Sequence, residues 1–304
     1  MTTRVGFIGL GHMGGPMCAR VVGAGFDVTA FDLSPAALAL AVLGGAEAAE
    51  SAAECAAAAD VLITMLPGPP QVEDVLLGSG GALAAMRKGS LAVDMSTSST
   101  ELGRRVLEAA AVRGVAFLDA PVADALKASE GDLHIFVGGE EADVAVARPV
   151  LEAMGKPHRV VHVGPHGAGY TVKLLVNLQW FVHAAVAAEA LAVGVRSGID
   201  ADTLYAAFAA GPARSSFLEN EALEVLRDGE YGERFPLGLV TKDLGLALDL
   251  ARETGVRTEL SGVTQGLYDQ ALDKYGSTAG EMAVVRLYED LAGTPLRLRE
   301  ANGR

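Results

Sequence analysis

The sequence predicts an α/β fold, a doubly wound and mostly parallel sheet, joined by a long helix to an all-α region. Three observations carry this. Short apolar runs alternate with helical segments from Arg4 to Gly164. Everything after Tyr170 reads as helix. A glycine-rich turn separates the first apolar run from the first helix. Such alternation places helices on both faces of a parallel sheet. The two regions divide as 1–164 and 165–304, with the joining helix at about 168–195.

The elements follow in order. RVGFIGL reads as a strand, GGPMCARVVGAG as a helix closed by Gly25, and DVTAFDL as a second strand. Ser34-Pro35 supplies an N-cap and a first-turn proline for the next helix, and SAAE from Ser51 to Glu54 has the form of a capping box. VLITMLP, SLAVDMS, VAFLDAP, LHIFVGG and VVHVG are further strands. Beyond Tyr170 the helices are broken at SGIDADT, AAGPARSS, RDGEYGERFP, RETGVRTELSG and DKYGSTAG. The stretch Thr171 to Val195 approaches the ~20 apolar residues that span a bilayer. Asn177, Gln179, His183 and Glu189 interrupt it, so it reads as a core helix.

Composition excludes several partners. The chain has 304 residues, 24 Lys+Arg against 38 Asp+Glu, and a net charge of −14, which opposes nucleic acid and anionic membranes. Its two cysteines, Cys18 and Cys55, sit in apolar helical stretches and read as reduced thiols. The N-terminus shows no charged region before an apolar one and no cleavage site, so a cytoplasmic location is expected. The six histidines show no HExxH or clustered spacing, so no metal is expected.

Gly9-Leu10-Gly11-His12-Met13-Gly14 fits GxGxxG between a strand and a helix. The first glycine permits the tight turn, the second lets backbone approach a pyrophosphate, and the third lets helix and strand pack closely. Asp32 ends the second strand, about where an acidic group binds ribose hydroxyls. No Arg or Lys follows in Leu33-Ser34-Pro35 to hold a 2′-phosphate, which favours NAD over NADP. The structural alternative for Asp32 is a turn residue before a helix.

Lys173 heads the long apolar helix with Asn177 four residues on, hence on the same face. Moving a hydride between carbon and a nicotinamide needs a group near the substrate oxygen that exchanges a proton and stabilises negative charge. A lysine, with an ordinary pKa of ~10.4, suits that task once burial lowers it. The structural alternative is a lysine snorkelling from a helix end. Asp243 reads as a helix-dipole or capping partner, with a catalytic group as the alternative, and Trp180 and Phe181 read as core, with a wall of the substrate pocket as the alternative.

With GFIGLGHMG in place, the chain resembles the β-hydroxyacid dehydrogenase (3-hydroxyisobutyrate dehydrogenase-like) family. Three further motifs carry the resemblance: DAPV at Asp119 to Val122, GxGxxxK at Gly167 to Lys173 with Asn177, and KDLGLAL at Lys242 to Leu248. It implies a Rossmann-type domain joined by a long helix to a helical domain that forms a dimer or tetramer interface. It also implies that Leu66 and Pro67 lie against the cofactor, that Thr97 lies near the nicotinamide ribose, and that Lys242 reaches the nicotinamide end. Lys173 is implied to be catalytic and Asn177 to orient the substrate, a small β-hydroxy acid or related alcohol or aldehyde.

One segment departs from the family pattern. Relatives follow DAPV with a serine and two glycines that cradle the substrate carboxylate; here Ala123, Asp124 and Ala125 stand there. A free Asp124 carboxylate about 4 Å from a substrate carboxylate would repel it by ~4 kcal/mol at an effective dielectric near 20. Lys127 is the nearby candidate to offset it; either Asp124 turns to solvent or the substrate presents an amine, a hydroxyl or a larger apolar group there, and 3-hydroxyisobutyrate itself is expected to be a poor substrate. The alternatives are an NADPH-dependent reductase of short aldehydes, of glyoxylate or succinic semialdehyde type, and a non-catalytic dinucleotide-binding protein.

Overall fold

The computed structural model describes residues 3–124, 127–232 and 235–298. They form two compact units, residues 1–173 and 174–304.

In the first unit the elements are β1 (Arg4–Ile8), α1 (Gly14–Gly23), β2 (Asp27–Phe31), α2 (Pro35–Leu43), β3 (Glu47–Ala48), α3 (Ala52–Ala57), β4 (Val61–Thr64), α4 (Pro69–Leu77), α5 (Ala82–Ala85), β5 (Leu91–Asp94), α6 (Thr100–Arg113), β6 (Ala116–Asp119), β7 (Val122–Ala123), β8 (His134–Gly138), α7 (Glu141–Met154), β9 (Val160–Gly164) and the start of α8 (Ala168–Arg196). The sheet runs β3-β2-β1-β4-β5-β6-β8-β7, with β9 on β8. All pairings are parallel except those of β8 with β6 and β7. Strand order reverses between β1 and β4, the crevice where such sheets bind ligands.

Because the strands are covered on both faces, VLIT and LAVD are apolar without alternation and buried throughout. One face packs Val5, Phe7, Ile63 and Val93 against Met17 and Val21 of α1 and Val150 of α7. The other packs Ile8, Leu62 and Phe117 against Val72 of α4 and Val106 of α6. Each such large side chain contributes about 1.5–3 kcal/mol by leaving water. The helix starts follow the sequence reading: Ser34 Oγ accepts from Ala37 N at 3.3 Å, with Pro35 in the first turn, and Ser51 Oγ accepts from Glu54 N at 3.1 Å. Glu54 reaches back to Glu50 N at 2.6 Å rather than to the cap itself.

The strand pattern ends at Gly164, yet the first unit continues to Lys173. The cause is local. The first turn of α8 hydrogen-bonds to Asp119 and Asp94 at the ends of β6 and β5.

The second unit holds the rest of α8 with α9 (Ala201–Ala210), a π-turn (Phe217–Glu221), α10 (Ala222–Asp228), α11 (Leu237–Thr254), α12 (Glu259–Tyr275) and α13 (Ala283–Ala292). Its core gathers Phe181, Ala184, Ala188 and Leu191 of α8 with Leu244, Tyr268 and Val284. Trp180 sits edge-on to Phe181 and Phe217, a packing role. By length and composition α8 would also suffice to cross a membrane, and 44% of its most apolar window is buried in the protein. Its other side exposes Leu175, Val186 and Val193.

Candidate functional site

The glycine turn closes at the carboxyl end of β1. Gly9 has φ +95°, left-handed backbone that disfavours a side chain, and a Cβ there would crowd the Met65 carbonyl. A Cβ on Gly14 would lie 2.9 Å from the Gly9 carbonyl carbon and closer to its oxygen, whereas a Cβ on Gly11 meets nothing within 4 Å. Turn, ligand approach and helix packing therefore fall on separate glycines. Gly11 and the exposed His12 open onto a groove of about 480 Å³, shared with Leu10, Pro16, Ala37 and Leu40. Met13 is half-buried against the core beside them.

Asp32 stands at the end of β2. Its Oδ2 accepts from Leu10 N at 2.6 Å and its Oδ1 from Ser34 N at 2.7 Å, so it ties the glycine turn to the start of α2. Each oxygen keeps a lone pair for a further donor. Leu66 follows β4, and its N–H donates to Ser96 Oγ at 2.9 Å. Pro67 is exposed and Thr97 half-buried in the loops after β4 and β5. In a parallel sheet the carboxyl ends of β1, β2, β4 and β5 share one edge, so Gly9, Gly11, Gly14, Asp32, Leu66, Pro67 and Thr97 line that edge. The open backbone at Gly11 and the acidic strand end fit an adenine dinucleotide.

Two buried carboxylates stand at the same edge, in register with each other, and sequence reading did not assign them. Asp119 accepts from Gly167 N at 2.8 Å and Tyr170 N at 3.0 Å, capping α8. Asp94 accepts from Thr64 Oγ1 at 2.7 Å, Ser96 Oγ at 2.6 Å and Tyr170 Oη at 2.6 Å. Burial pushes both carboxyls above their ordinary range, against the pull of these bonds. Burial, with Asp94 beside it, drives the Tyr170 phenol well up, so it stays a donor. Lys173, half-buried, follows Tyr170 by three residues.

The segment after DAPV is anchored by charge. Ala123 pairs with His134 across β7 and β8. Asp124 has φ +65°, backbone that glycine would adopt without cost. Its Oδ2 lies 2.8 Å from Arg159 Nη1 and 3.0 Å from His134 Nδ1. The offsetting cation is thus Arg159, not Lys127, which lies 3.5 Å from Asp132. Ala125 lies outside the described residues.

In the second unit, Asn177 Nδ2 donates to Asp243 Oδ2 at 2.7 Å, and Lys242 Nζ lies 2.8 Å from Asp243 Oδ1. Asp243 is buried in the second turn of α11, because the helix begins at Leu237 after Pro236. It is therefore no dipole partner. It fixes the Asn177 amide, since a carboxylate accepts only from the NH2 side.

A first βα turn that the protein itself holds to glycine at positions 9 and 14 and leaves open at Gly11, at the switch point of a doubly wound sheet, defines the class: a dinucleotide-binding oxidoreductase of Rossmann type. Residues 4–164 match the family model described as the NAD binding domain of 6-phosphogluconate dehydrogenase, and 167–288 that of the NAD-binding of NADP-dependent 3-hydroxyisobutyrate dehydrogenase. The chain is 40% identical over 273 residues to 3-hydroxyisobutyrate dehydrogenase of Pseudomonas aeruginosa, covering 88% of this chain and 91% of that protein. It is 35% identical over 291 residues to 2-(hydroxymethyl)glutarate dehydrogenase of Eubacterium barkeri, covering 95% and 96%. Its fold is similar to Mycobacterium tuberculosis 3-hydroxyisobutyrate dehydrogenase solved with L-serine: TM-score 0.84, 32% identity, 94% of this chain and 99% of that one. The chain belongs to the β-hydroxyacid dehydrogenase family and is an NAD(P)-dependent oxidoreductase acting on CH–OH groups.

Proposed function

We propose that this enzyme oxidises a compound HOCH2–CH(R)–COO⁻ to its aldehyde, or runs the reverse, with NAD preferred and Lys173 exchanging the proton on the substrate oxygen. The observation that carries the reading is the fastening of the Lys173 helix turn to the carboxyl ends of β5 and β6. That is the sheet edge bearing the glycine turn. A nicotinamide bound at this edge supplies the hydride chemistry. Lys173 then takes up or returns the proton at the hydroxyl oxygen. Within the second unit Asp243 holds the amide of Asn177, which fixes the direction in which that side chain can donate.

The substrate class comes from chemistry that three of the similar proteins share in the compounds their names carry. 3-Hydroxyisobutyrate, 2-(hydroxymethyl)glutarate and L-serine share HOCH2–CH–COO⁻ and differ only at R: methyl, carboxyethyl and ammonium. Because Arg159 pairs with Asp124, the repulsion expected of a free Asp124 no longer argues against a carboxylate, and 3-hydroxyisobutyrate joins the substrate panel. NAD is favoured by the carboxylate of Asp32, which disfavours a 2′-phosphate. Initial rates with both dinucleotides check this; a higher kcat/KM with NADPH and glyoxylate or succinic semialdehyde would establish the aldehyde-reductase reading instead.

The exposed Leu175, Val186 and Val193 face of α8 supports self-association to a dimer or tetramer. The two buried free thiols support a cytoplasmic setting. The decisive experiment is Lys173→Ala. It should bind NAD with wild-type affinity and lose turnover by orders of magnitude. Wild-type turnover in that variant would remove the mechanism.

A further inference from the structure

We infer that Tyr170 is a positioning residue: its ring and hydroxyl, set between α6 and the end of β5, fix the turn of α8 that carries Lys173. The inference rests on Lys173 as the proton-transfer group.

Four observations converge. The Tyr170 hydroxyl donates to Asp94 Oδ2 at 2.6 Å, while its backbone N–H donates to Asp119 at 3.0 Å. One residue thus bonds to the last residue of two adjacent strands, through different parts of itself. Gly167 N adds a third tie, to the other oxygen of Asp119, at 2.8 Å. Finally, the ring is seated against Gly103 of α6, where a Cβ would come within 2.8 Å of ring Cε2 and 3.2 Å of Cδ2. Gly103 is helical and not in left-handed backbone, so its lack of a side chain is explained by space for this ring.

A helix turn held only at its backbone can still rotate about its own axis. The phenol adds a lever arm off that axis, and its far end is fixed in a buried carboxylate that has two other donors, Thr64 and Ser96. Rotation of the turn would break the hydroxyl bond and drive the ring into α6. Lys173 lies one turn further along the same helix, so its Nζ inherits the constraint. A misplacement near 1 Å of a reacting group costs up to ~100-fold in rate.

The test uses the full-length enzyme and three variants. Tyr170→Phe removes only the hydroxyl. Thr64→Val removes a different hydrogen bond to the same Asp94, one that comes from β4 rather than from α8. Both should lower thermal stability by a similar amount. Tyr170→Phe should lower kcat by about 10- to 100-fold with KM for both substrates within about threefold, and raise the primary deuterium isotope effect as the chemical step slows. Thr64→Val should keep kcat within about twofold of wild type. Gly103→Ala presses on the same ring from α6 and should reproduce the kcat loss, an independent reading if Tyr170→Phe does not accumulate as folded protein. Equal kcat in the Tyr170 and Thr64 variants, with Lys173→Ala inactive, would overturn this inference alone. An active Lys173→Ala would overturn the Lys173 reading and this inference with it.

Discussion

Gly11 and Gly14 are both part of the glycine turn, but the structure gives them different reasons to be glycine, and alanine at each separates those reasons. At Gly14 an added methyl sits 2.9 Å from the Gly9 carbonyl carbon and closer to its oxygen. That carbonyl must retreat by roughly 1.5 Å to restore contacts near 3.5 Å. Overpacking of this kind costs about 1–3 kcal/mol, several degrees in Tm, and it displaces the loop that meets the pyrophosphate. At Gly11 the methyl meets no protein atom within 4 Å, and φ is not left-handed. Gly11→Ala should therefore keep Tm within about 1 °C without dinucleotide. Its methyl nonetheless occupies the approach to the backbone, so the Kd for NAD should rise at least ~10-fold, ~1.4 kcal/mol. Differential scanning fluorimetry with and without NAD reads both effects, because a tenfold weaker Kd removes about that much ligand stabilisation at saturation. Calorimetric titration confirms the affinity. Wild-type affinity in Gly11→Ala, or a large fall in its unliganded Tm, would refute the assignment of Gly11 to ligand approach.

Three further outcomes are expected. Asp243→Ala frees the Asn177 amide and the Lys242 side chain from their shared carboxylate, so kcat/KM should fall by about 10- to 100-fold in steady-state assays, with the protein still folded. Burial pushes the Cys18 and Cys55 thiols up to about 12, so iodoacetamide at pH 8 should leave both unmodified in the native protein and label both after unfolding, as mass spectrometry would show. Hydrogen bonds from Arg4, with help from Arg87, hold the Asp60 carboxyl down at about 2. A depressed folded-state value stabilises above the ordinary carboxylate range near pH 4 and is lost as pH falls through about 2. The pair is largely solvent-exposed, so Asp60→Asn should lower Tm by only about 1–3 °C at pH 7, a difference that vanishes near pH 2.

What could be read from sequence was what depends on local backbone. The glycine turn, the strand-end Asp32, the caps at Ser34 and Ser51 and the helical breaks after Tyr170 all follow from residues a few positions apart. β3 and β7 escaped because two residues carry no period. Asp124 could be placed but not its partner, since Arg159 is 35 residues away and nothing in DAPVADAL announces it. Asp243 was misread because KDLGLAL looks like a helix start, whereas Pro236 starts α11 a turn and more earlier. The carboxylates of Asp94 and Asp119 did leave a signal. Each ends an apolar strand otherwise covered on both faces, and an acidic group there must find donors. Which donors it finds depends on the return of the chain at Gly167 and Tyr170, beyond any local pattern.

The seating of Tyr170 against Gly103 also bears on the order in which this sequence can change. With a six-membered ring at 170, any side chain at 103 collides with it, and phenylalanine relieves nothing because it keeps the ring. Only after residue 170 shrinks to an aliphatic side chain does alanine at 103 become neutral, and only after 103 returns to glycine can an aromatic re-enter at 170. The two positions, 67 residues apart, thus behave as a single inherited unit. Either single replacement carries a cost, because alanine at 103 collides with the ring and an aliphatic residue at 170 loses the hydroxyl tie to Asp94.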